Sequence, residues 1–262
     1  MARPVPLKLE VAGVGKDYLI PVIESVSFAV EAGEFVCLLG PNGCGKTTLL
    51  RILGGIEPAT RGTVRLDGRP VTADRHHERH VGVVFQEDRL LPWLSLRDNV
   101  ALVLKPLGLD RDARRARAMD YLRLVGLQGF EAYYPGRVSG GMRQRAAIAR
   151  ALAIEPDVLL MDEPFGALDA QNRRILQQEV RRIWAETGRT IVFVTHSIEE
   201  AAAIGTTLIM LSARPSRIRE MVRNDGSVER AKLIDDLNTM IMEEVERQQG
   251  AAPDRSVEEK AP

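Results

Sequence analysis

A glycine-rich segment between an apolar run and an amphipathic run constrains this chain more than any other feature. Gly40 to Thr47 reads Gly-Pro-Asn-Gly-Cys-Gly-Lys-Thr, which fits the pattern G-x-x-x-x-G-K-[ST]. It follows Phe35 to Leu39, which is typical of a buried strand, and precedes the helical pattern of Thr48 to Leu53. Its glycines let the backbone turn tightly, so that N–H groups and the positive end of the next helix face one anion. The segment therefore predicts a phosphate site at the end of a strand.

The side chains of this segment predict how a nucleotide is held. Lys46 is expected to contact the β- and γ-phosphates, and the Thr47 hydroxyl is expected to ligate the Mg²⁺ that bridges them. A glycine-rich turn without a ligand is the alternative, and the match of both motif and context argues against it. ATP and Mg²⁺ are the expected cofactors. The expected nucleotide contacts are Gly40, Pro41, Asn42, Gly43, Cys44, Gly45, Lys46, Thr47 and Thr48.

Two consecutive acids end another strand of the buried type. Asp162 and Glu163 follow the apolar residues Val158 to Met161, and strand ends of a parallel sheet lie at its ligand-binding edge. Asp162 is expected to hold Mg²⁺, and Glu163 is expected to polarise the attacking water as general base. Taken alone, two acids at a strand end are also compatible with an ordinary helix cap. Together with the phosphate segment they predict nucleotide hydrolysis.

The alternation of apolar and amphipathic runs predicts an α/β fold with a mostly parallel sheet. Early strands and an Asp67-Gly68 turn indicate an additional antiparallel element. Strands are expected at Leu7 to Val11, Ser25 to Val30, Phe35 to Leu39, Thr63 to Leu66, Val81 to Phe85, Val158 to Met161, Ile191 to Thr195 and Thr207 to Leu211.

The length of the chain is compatible with one domain that carries an inserted subdomain, and this domain is expected over residues 1–250. A helical pattern from about Ser95 to Leu127 indicates a helical insertion, placed at about residues 87–155, and another helix is expected over Ala170 to Thr187. A last amphipathic helix has apolar residues spaced by four. Residues 251–262 are expected to form a disordered tail. The apolar positions of the last helix are Leu233, Leu237, Ile241 and Val245.

Charge and hydropathy limit the partners of the chain. Lys and Arg number 36 and so do Asp and Glu, so no overall field attracts the chain to nucleic acid or acidic lipid. The apolar runs are too short for a signal peptide or a membrane span. Cys37 and Cys44 are the only cysteines, and we expect reduced thiols in cytosol rather than a disulfide or a metal site.

A second anion site is predicted between the two motifs. Val138 to Arg145 reads Val-Ser-Gly-Gly-Met-Arg-Gln-Arg and opens a helix that runs toward Glu155. Ser139 is the expected N-cap, which exposes N–H groups and a hydroxyl at a positive helix end. One bound nucleotide does not obviously contact both anion sites of the same chain. A twofold axis between two chains resolves this, because each chain can offer Ser139, Gly140 and Gly141 to the γ-phosphate held by the other.

These residues resemble the ABC-type ATPase family, in the family's order and over nearly the whole chain. The resemblance implies a P-loop NTPase (RecA-like) core with an antiparallel β subdomain and an inserted helical subdomain. Met142 departs from the commonest signature, which has Gln there, and function is expected to survive because the trans contacts come from Ser139 and Gly141. The matching segments are Gly40 to Thr47 (Walker A), Gln86 (Q-loop), Ser139 to Gly141 (signature), Leu159 to Glu163 (Walker B), Ala167 to Asp169 (D-loop) and His196 (switch histidine).

The resemblance also implies further roles. Gln86 would sense Mg²⁺ and the attacking water and report to membrane subunits, while His196 would hydrogen-bond the γ-phosphate and Glu163. Tyr18 looks like the aromatic that stacks on adenine. Taken singly, the alternatives are a solvated loop residue for Gln86, a satisfied histidine at a strand end for His196, and a strand-packing role for Tyr18. The expected catalytic set is Glu163, His196, Gln86 and Lys46, and the expected metal set is Thr47, Gln86 and Asp162.

The segment that follows Gln86 is similar to that of importer ATPases for nitrate, sulfonates and taurine. It ends in Leu-Leu-Pro-Trp at Leu90 to Trp93, and Ser212 to Pro215 and Met142 to Arg145 favour the same subfamily. Trp93 suits a groove for a partner's helix, and a turn closed over the core is the alternative. The resemblance implies ATP hydrolysis that drives bacterial uptake of a small solute. An exporter or lipid-transport subunit is the main alternative, and a soluble machine or a nucleotide-dependent switch are further rivals.

The implied partners follow from that subfamily. They are a second nucleotide-binding subunit (an identical copy or a paralogue), two transmembrane permease subunits and, indirectly, a periplasmic or lipoprotein solute-binding protein. The expected location is the cytoplasmic face of the bacterial inner membrane. Arg111 to Arg117 is expected to be a solvated helix face rather than a nucleic-acid patch, and His76, His77 and His80 are expected to be exposed rather than metal ligands.

Overall fold

A computed structural model describes residues 6–72, 81–166 and 168–250. Within these ranges, ten strands form one sheet in the order β5-β4-β1-β2-β10-β9-β3-β8-β7-β6. The strands are β1 (Leu7–Asp17), β2 (Pro21–Glu31), β3 (Phe35–Leu39), β4 (Arg61–Leu66), β5 (Arg69–Pro70), β6 (Val81–Val84), β7 (Val158–Asp162), β8 (Thr190–Val194), β9 (Thr207–Leu211) and β10 (Ser216–Arg223). The helices are α1 (Lys46–Leu53), α2 (Leu96–Leu102), α3 (Arg111–Leu124), α4 (Gly140–Ala153), α5 (Ala170–Thr187), α6 (Ile198–Ile204) and α7 (Arg230–Gly250).

One half of the sheet is parallel, as the apolar runs predict. β6, β7, β8, β3 and β9 pair in parallel, in that order. Every residue of β3, β7, β8 and β9 is buried, because helices cover both faces of a parallel sheet and leave no face for polar side chains. Parallel pairing also brings the carboxyl ends of these strands to one edge.

The other half is antiparallel, which confirms the expected second element. β1 pairs with β2 and β4, and β4 pairs with β5, all antiparallel. Asp67 (φ 48°) and Gly68 (φ 72°) both adopt left-handed torsions, which a tight hairpin turn requires. β1 and β2 run to 11 residues each, longer than the alternation predicts. Register shifts between Val11 and Val14 explain this, since a bulge lets pairing continue after the alternation breaks.

β10 joins the two halves and has no counterpart among the strands expected from sequence. It pairs antiparallel with β9 and in parallel with β2 at Ser216 and Arg217. Its sequence, Ser-Arg-Ile-Arg-Glu-Met-Val-Arg, is mostly polar and exposed, so no apolar run identified it. Its pairing partners, rather than its own side chains, place it in the sheet.

Two apolar clusters occupy the two faces of the sheet. Alternate residues of β3 divide between them: Phe35 and Cys37 belong to one cluster, and Val36 and Leu38 to the other. The first cluster includes buried residues of α2, α3, α4, α5, α6 and α7, and the second includes α1 and the antiparallel strands. This arrangement confirms a layered α/β fold of the P-loop NTPase type, and it holds the carboxyl ends of β3, β7 and β8 rigidly.

The segment between β6 and β7 is helical, in agreement with the expected insertion. The pattern over 95–127 is divided into α2 and α3 by a short 3-10 turn at Lys105–Leu107 and by Gly108, whose φ is 71°. α4 follows, and it ends before Glu155 (φ 53°).

The last helix packs through Leu233 and Leu237, which are 4% and 1% exposed. Further along, the buried side chain is Glu244 rather than the predicted Val245, which is only half-buried. The expected disordered tail, 251–262, lies outside the described residues. No helix in the described part of the chain is both long and apolar enough to cross a membrane. Cys37 and Cys44 are buried free thiols, as expected.

Candidate functional site

The glycine-rich segment forms a tight loop between β3 and α1. A Cβ at Gly45 (φ 107°) would lie 2.9 Å from Val22 Cγ1, and one at Gly40 would lie 2.9 Å from the Leu211 carbonyl oxygen. These approaches require glycine, because side chains would displace the neighbouring strands. A cavity of about 250 Å³ lies against the loop. It is lined by Val22, Asn42, Gly43, Gly45, Lys46, Thr47, Thr48, Glu163 and Arg214.

Lys46 is a buried cation at the first position of α1. It is 5% exposed, and its ammonium donates to the carbonyl oxygens of Gly40 (2.9 Å) and Pro41 (3.0 Å). Carbonyls of the loop itself thus hold the lysine along the cavity wall. A positive charge and the N-terminus of α1 face the same space, an arrangement suited to a phosphate chain.

Thr47 and Asp162 meet, although 115 positions separate them in sequence. The Thr47 hydroxyl donates to Asp162 Oδ1 at 3.0 Å. Burial raises the pKa of the Asp162 carboxyl above its usual value, with the Thr47 hydrogen bond acting against this rise and the charge of Glu163 adding to it. A hydroxyl beside a carboxylate is a set of oxygen donors that fits Mg²⁺.

Glu163 and His196 form a second pair at the ends of neighbouring strands. His196 Nδ1 lies 3.1 Å from Glu163 Oε2, with side-chain exposures of 53% and 19%. The Glu163 N–H donates to the Val194 carbonyl oxygen at 2.9 Å, although Glu163 has a φ of 44°. A non-glycine residue in this conformation is strained, and the neighbouring strand holds it there. Glu163 in this position lines the same cavity as Lys46 and Thr47.

A buried polar group supports the His196 loop, and the sequence motifs did not identify it. Glu200, 7% exposed, accepts a hydrogen bond of 2.6 Å from the Thr195 hydroxyl, next to His196. Arg173 Nε lies 3.6 Å from Glu200, and the same arginine donates to the carbonyl oxygen of Leu168 at 3.1 Å. The available sequence signal was the spacing of three residues between Ser197, the N-cap of α6, and Glu200, which is typical of the first turn of a helix. This network links Leu168 to the residue before His196.

Gln86 lies after β6 in a second cavity, of about 620 Å³. A Cβ built at Gly166 would lie 3.4 Å from Gln86 Nε2 and 3.9 Å from Glu163 Oε2, so Gly166 lies between the two side chains. Gln86 is exposed, so its side chain can contact a molecule that is bound beside Glu163. The lining residues of this cavity are Gln86, Glu87, Asp88, Arg89, Gly140, Arg143, Gln144, Pro164 and Leu168.

The Ser139 segment caps α4 as expected. The Ser139 hydroxyl accepts from the Met142 N–H at 3.3 Å, and Ser139 and Gly140 are exposed. None of the residues that line the phosphate-loop cavity lines the cavity beside Gly140. The cavity beside the start of α4 is therefore separate from the cavity of the phosphate loop in the same chain.

α4 is tied to the segment that follows Gln86. The Arg150 guanidinium donates to the carbonyl oxygens of Arg89 (2.7 Å) and Asp88 (2.8 Å). Arg143 adds an ion pair of 2.9 Å with the Asp88 carboxylate. A shift of the Gln86 loop would therefore be transmitted to α4.

Two predicted contact residues lie on the surface. Tyr18 is 54% exposed, donates a hydrogen bond to Glu57, and lies under the Lys16 ammonium, 4.9 Å from the ring centroid. Its exposure argues against the alternative in which it packs a strand. Trp93 is 69% exposed, which argues against a Trp93 side chain folded over the core. Its neighbour Leu94 lines a cavity of about 290 Å³ between α2 and α3.

Some predicted residues lie outside the described part of the chain. These are Ala167 of the expected D-loop and the histidines His76, His77 and His80. Among the described residues there is no cluster of three or more His, Cys, Asp or Glu side chains that could hold a metal ion. A Mg²⁺ site at Thr47 and Asp162 does not need one, since phosphate oxygens and water supply further ligands.

Comparison with known proteins identifies the class to which this fold and site belong. The family model described as ABC transporter matches residues 23–166, more than half of the chain. The chain belongs to the ABC transporter family and carries its ATPase domain. The expected family and the expected ATPase activity are thereby confirmed.

Individual relatives narrow the comparison. The chain is 49% identical to a taurine import ATP-binding protein, TauB, of Burkholderia thailandensis over 221 residues, 83% of each chain. It is 41% identical to an aliphatic sulfonates import ATP-binding protein, SsuB, of Bacillus cereus, over 81% of this chain and 82% of that one.

A solved structure supports the same assignment. The ATP-binding cassette MJ0796, in a dimeric post-hydrolysis state bound to ADP and Pi, superposes with a TM-score of 0.72 at 31% identity. The match covers 83% of this chain and 99% of that one.

Proposed function

We propose that this chain is the ATP-hydrolysing subunit of a bacterial importer for a small solute of the nitrate, sulfonate or taurine type. One observation carries the proposal: the phosphate loop, the Thr47–Asp162 pair and the Glu163–His196 pair meet at one sheet edge. The import ATP-binding proteins among its relatives support the direction of transport. The alternative of an exporter or lipid-transport subunit is not favoured by these relatives.

The residues divide the work of hydrolysis. Lys46 and the loop N–H groups bind the β- and γ-phosphates, while Thr47, Asp162 and Gln86 hold Mg²⁺. When bound, Mg²⁺ offsets the negative charge that develops on the phosphate oxygens. Glu163 polarises the attacking water, and His196 keeps that carboxylate in place while it contacts the γ-phosphate. Tyr18 stacks on the adenine.

The active unit is a dimer of two such subunits, identical or paralogous. Ser139, Gly140 and Gly141 of one subunit contact the γ-phosphate held by the other. The exposure of Ser139 and Gly140 supports the arrangement, and the cavity beside Gly140 shares no lining residue with the cavity of the phosphate loop in the same chain. The dimeric MJ0796 cassette is a further support.

The dimer is tested with a hydrolysis-blocked variant. Glu163→Gln saturated with Mg²⁺ and ATP should sediment as a dimer and return to monomer with ADP. The double variant Glu163→Gln, Ser139→Ala should dimerise more weakly, whereas Glu163→Gln, Ser227→Ala should not differ, because Ser227 is exposed far along the chain. A strictly monomeric Glu163→Gln protein, both alone and with its permease, contradicts the proposal.

Trp93 and its neighbours form the contact with a cytoplasmic helix of a permease subunit. An exposed aromatic beside the Gln86 loop suits such a groove, and the ties from Arg150 to this segment carry the signal to α4. Trp93→Ala should abolish stimulation of ATP hydrolysis by the permease and leave basal hydrolysis intact. Met221→Ala is the control, because Met221 is an exposed apolar side chain (44%) on β10, away from β6 and the segment that follows it. Normal stimulation of a folded Trp93→Ala protein contradicts this contact.

The partners place the chain at the cytoplasmic face of the inner membrane, attached through two permease subunits. A periplasmic or lipoprotein solute-binding protein delivers the solute to that complex. Nucleic acid is not an expected partner, since the formal net charge is zero. Membrane attachment is tested by co-purification with co-expressed permease subunits.

A further inference from the structure

We propose that Arg214 is an additional phosphate-binding residue of this ATPase, held in position by Glu244 of the C-terminal helix. The proposal rests on the proposed nucleotide site at Gly40 to Thr47. It adds a cation to this site from the loop between β9 and β10. This loop is separate in sequence from both the phosphate loop and the acid pair of Asp162 and Glu163.

The β9–β10 loop lies directly against the phosphate loop. β9 ends at Leu211, and a Cβ at Gly40 would lie 2.9 Å from the Leu211 carbonyl oxygen and 3.2 Å from Leu211 Cβ. The chain then continues into the loop, and Arg214 lines the same cavity as Lys46 and Thr47. The close approach of the end of β9 to Gly40 therefore places the following loop, and with it a second cation, at the phosphate cavity.

The Arg214 guanidinium has no partner in the described part of the chain. It is exposed, and no hydrogen bond or ion pair joins it to residues 6–72, 81–166 or 168–250. Other arginines of the same region are paired: Arg217 with Glu24 at 2.8 Å, and Arg223 with Glu31 at 3.2 Å. A guanidinium presents several N–H donors in a plane and matches phosphate oxygens in a bidentate geometry. Within the described ranges Arg214 thus has unpaired N–H donors, and it lines the same cavity as Lys46 and Thr47.

The loop that carries Arg214 is fixed by a buried carboxylate. Glu244, 3% exposed, accepts a hydrogen bond of 2.8 Å from the Ala213 N–H, next to Arg214. Its other oxygen pairs with Arg219 of β10 and, at 2.9 Å, with Arg247. Burial acts to raise the pKa of Glu244, but the Ala213 N–H and Arg219 outweigh it and hold the pKa below its usual value.

The loop is also closed on itself. The Ser212 N–H donates to the Arg217 carbonyl oxygen at 2.9 Å, and the Arg217 N–H donates to the Ser212 hydroxyl at 3.0 Å. With Glu244 holding Ala213 from the side, the backbone on the amino side of Arg214 is anchored. An anchored backbone lowers the conformational entropy that the loop loses when Arg214 binds phosphate. Glu244 is in this sense a positioning residue, since it acts only through the loop.

The experiment measures equilibrium binding of ATP, ADP and AMP to the full chain with Mg²⁺ present. Arg214→Ala should weaken ATP binding about fivefold or more, ADP binding less, and AMP binding least, because a lost charge-assisted contact scales with the phosphates present. Arg214→Lys should recover part of the loss. Arg223→Ala, an exposed arginine of the neighbouring strand, is the matched control and should bind all three nucleotides as the unchanged chain does.

The outcomes separate this inference from the proposed function. Lys46→Ala should lose ATP binding whether or not Arg214 is present. If Lys46→Ala loses ATP binding and Arg214→Ala binds ATP normally, the inference about Arg214 is wrong, and the proposed nucleotide site is supported. If Lys46→Ala keeps full ATP affinity, the nucleotide site itself is wrong. An equal loss for ATP, ADP and AMP with Arg214→Ala also overturns the inference, because loss of a contact with the β- and γ-phosphates cannot weaken AMP binding as much as ATP binding.

The role of Glu244 has its own test. Glu244→Gln keeps an oxygen for the Ala213 N–H, and Glu244→Ala does not. Glu244→Ala should raise the KM for ATP in the same direction as Arg214→Ala with kcat nearly unchanged, and Glu244→Gln should restore most of the affinity. In the Arg214→Ala background, Glu244→Ala should raise the KM for ATP only slightly further. Additive losses, or no change in KM for a folded Glu244→Ala protein, contradict the positioning role.

Discussion

His196 Nδ1 lies 3.1 Å from Glu163 Oε2, so the side chains that follow β8 and β7 share one contact across the sheet edge. The two residues are 33 positions apart and come together because their strands pair in parallel, Asp162 opposite Val194. The contact gives the carboxylate a fixed direction toward the cavity. It also makes the two residues act as one unit, which has a measurable consequence.

Substitution of this pair should be non-additive in ATP hydrolysis. Glu163→Gln should lower kcat about a hundredfold or more, because it removes the general base, while ATP binding remains. His196→Ala should also lower kcat, and the double variant should be little worse than Glu163→Gln alone. Steady-state hydrolysis of the four proteins measures this. Glu220→Gln, an exposed carboxylate on β10, is the control; unchanged hydrolysis by Glu163→Gln contradicts the assignment and favours a nucleotide-dependent switch.

Asp162 should lower the stability of the nucleotide-free protein at neutral pH. Its folded pKa is raised by burial above the ordinary 3.8, so the stability present below that pH is lost as pH rises through the folded pKa. Asp162→Asn should therefore raise the free energy of unfolding at pH 7, by about 1 kcal/mol, and abolish the additional stabilisation by Mg²⁺ and ATP. Thermal unfolding at several pH values measures both effects. A stability gain that grows as the pH falls contradicts this explanation.

Glu200 should affect turnover without affecting nucleotide affinity. It holds the Thr195 hydroxyl at 2.6 Å and lies next to Arg173, but it does not line the phosphate cavity. Glu200→Ala should lower kcat about tenfold with little change in the KM for ATP, because His196 loses its support. Glu200→Gln keeps an acceptor for Thr195 and should recover most of the turnover. A raised KM with unchanged kcat would show that Glu200 acts elsewhere.

Phe193 should be a principal contributor to the stability of the parallel half. It is fully buried, with ring centroids 5.9 Å from Phe35 and 5.2 Å from Phe165. Phe193→Ala should cost about 3–5 kcal/mol of unfolding free energy through lost burial and a residual cavity. Chemical denaturation measures the loss. Phe130→Ala, at 39% exposed, should cost much less, and equal losses would contradict the packing account.

The sequence predicted elements with strong local signals. The sequence predicted the parallel strands, α1, the N-cap of α4 and the Asp67-Gly68 turn. Burial of both faces, helix capping and left-handed turns each leave a mark in adjacent residues. β10 was missed because its side chains are mostly polar. Glu244 was missed because helical periodicity assigns burial to apolar residues, whereas this carboxylate is buried by its partners.

The sequence by itself determined the phosphate loop, the acid pair at the end of β7 and the family, since each depends on contiguous residues whose backbone geometry is local. Only the tertiary structure decided which distant groups meet there. The contacts of Glu163 with His196, of Thr47 with Asp162 and of the β9–β10 loop with Gly40 depend on strand order. Strand order is set by packing and pairing between segments far apart in the chain, and no stretch of neighbouring residues encodes it.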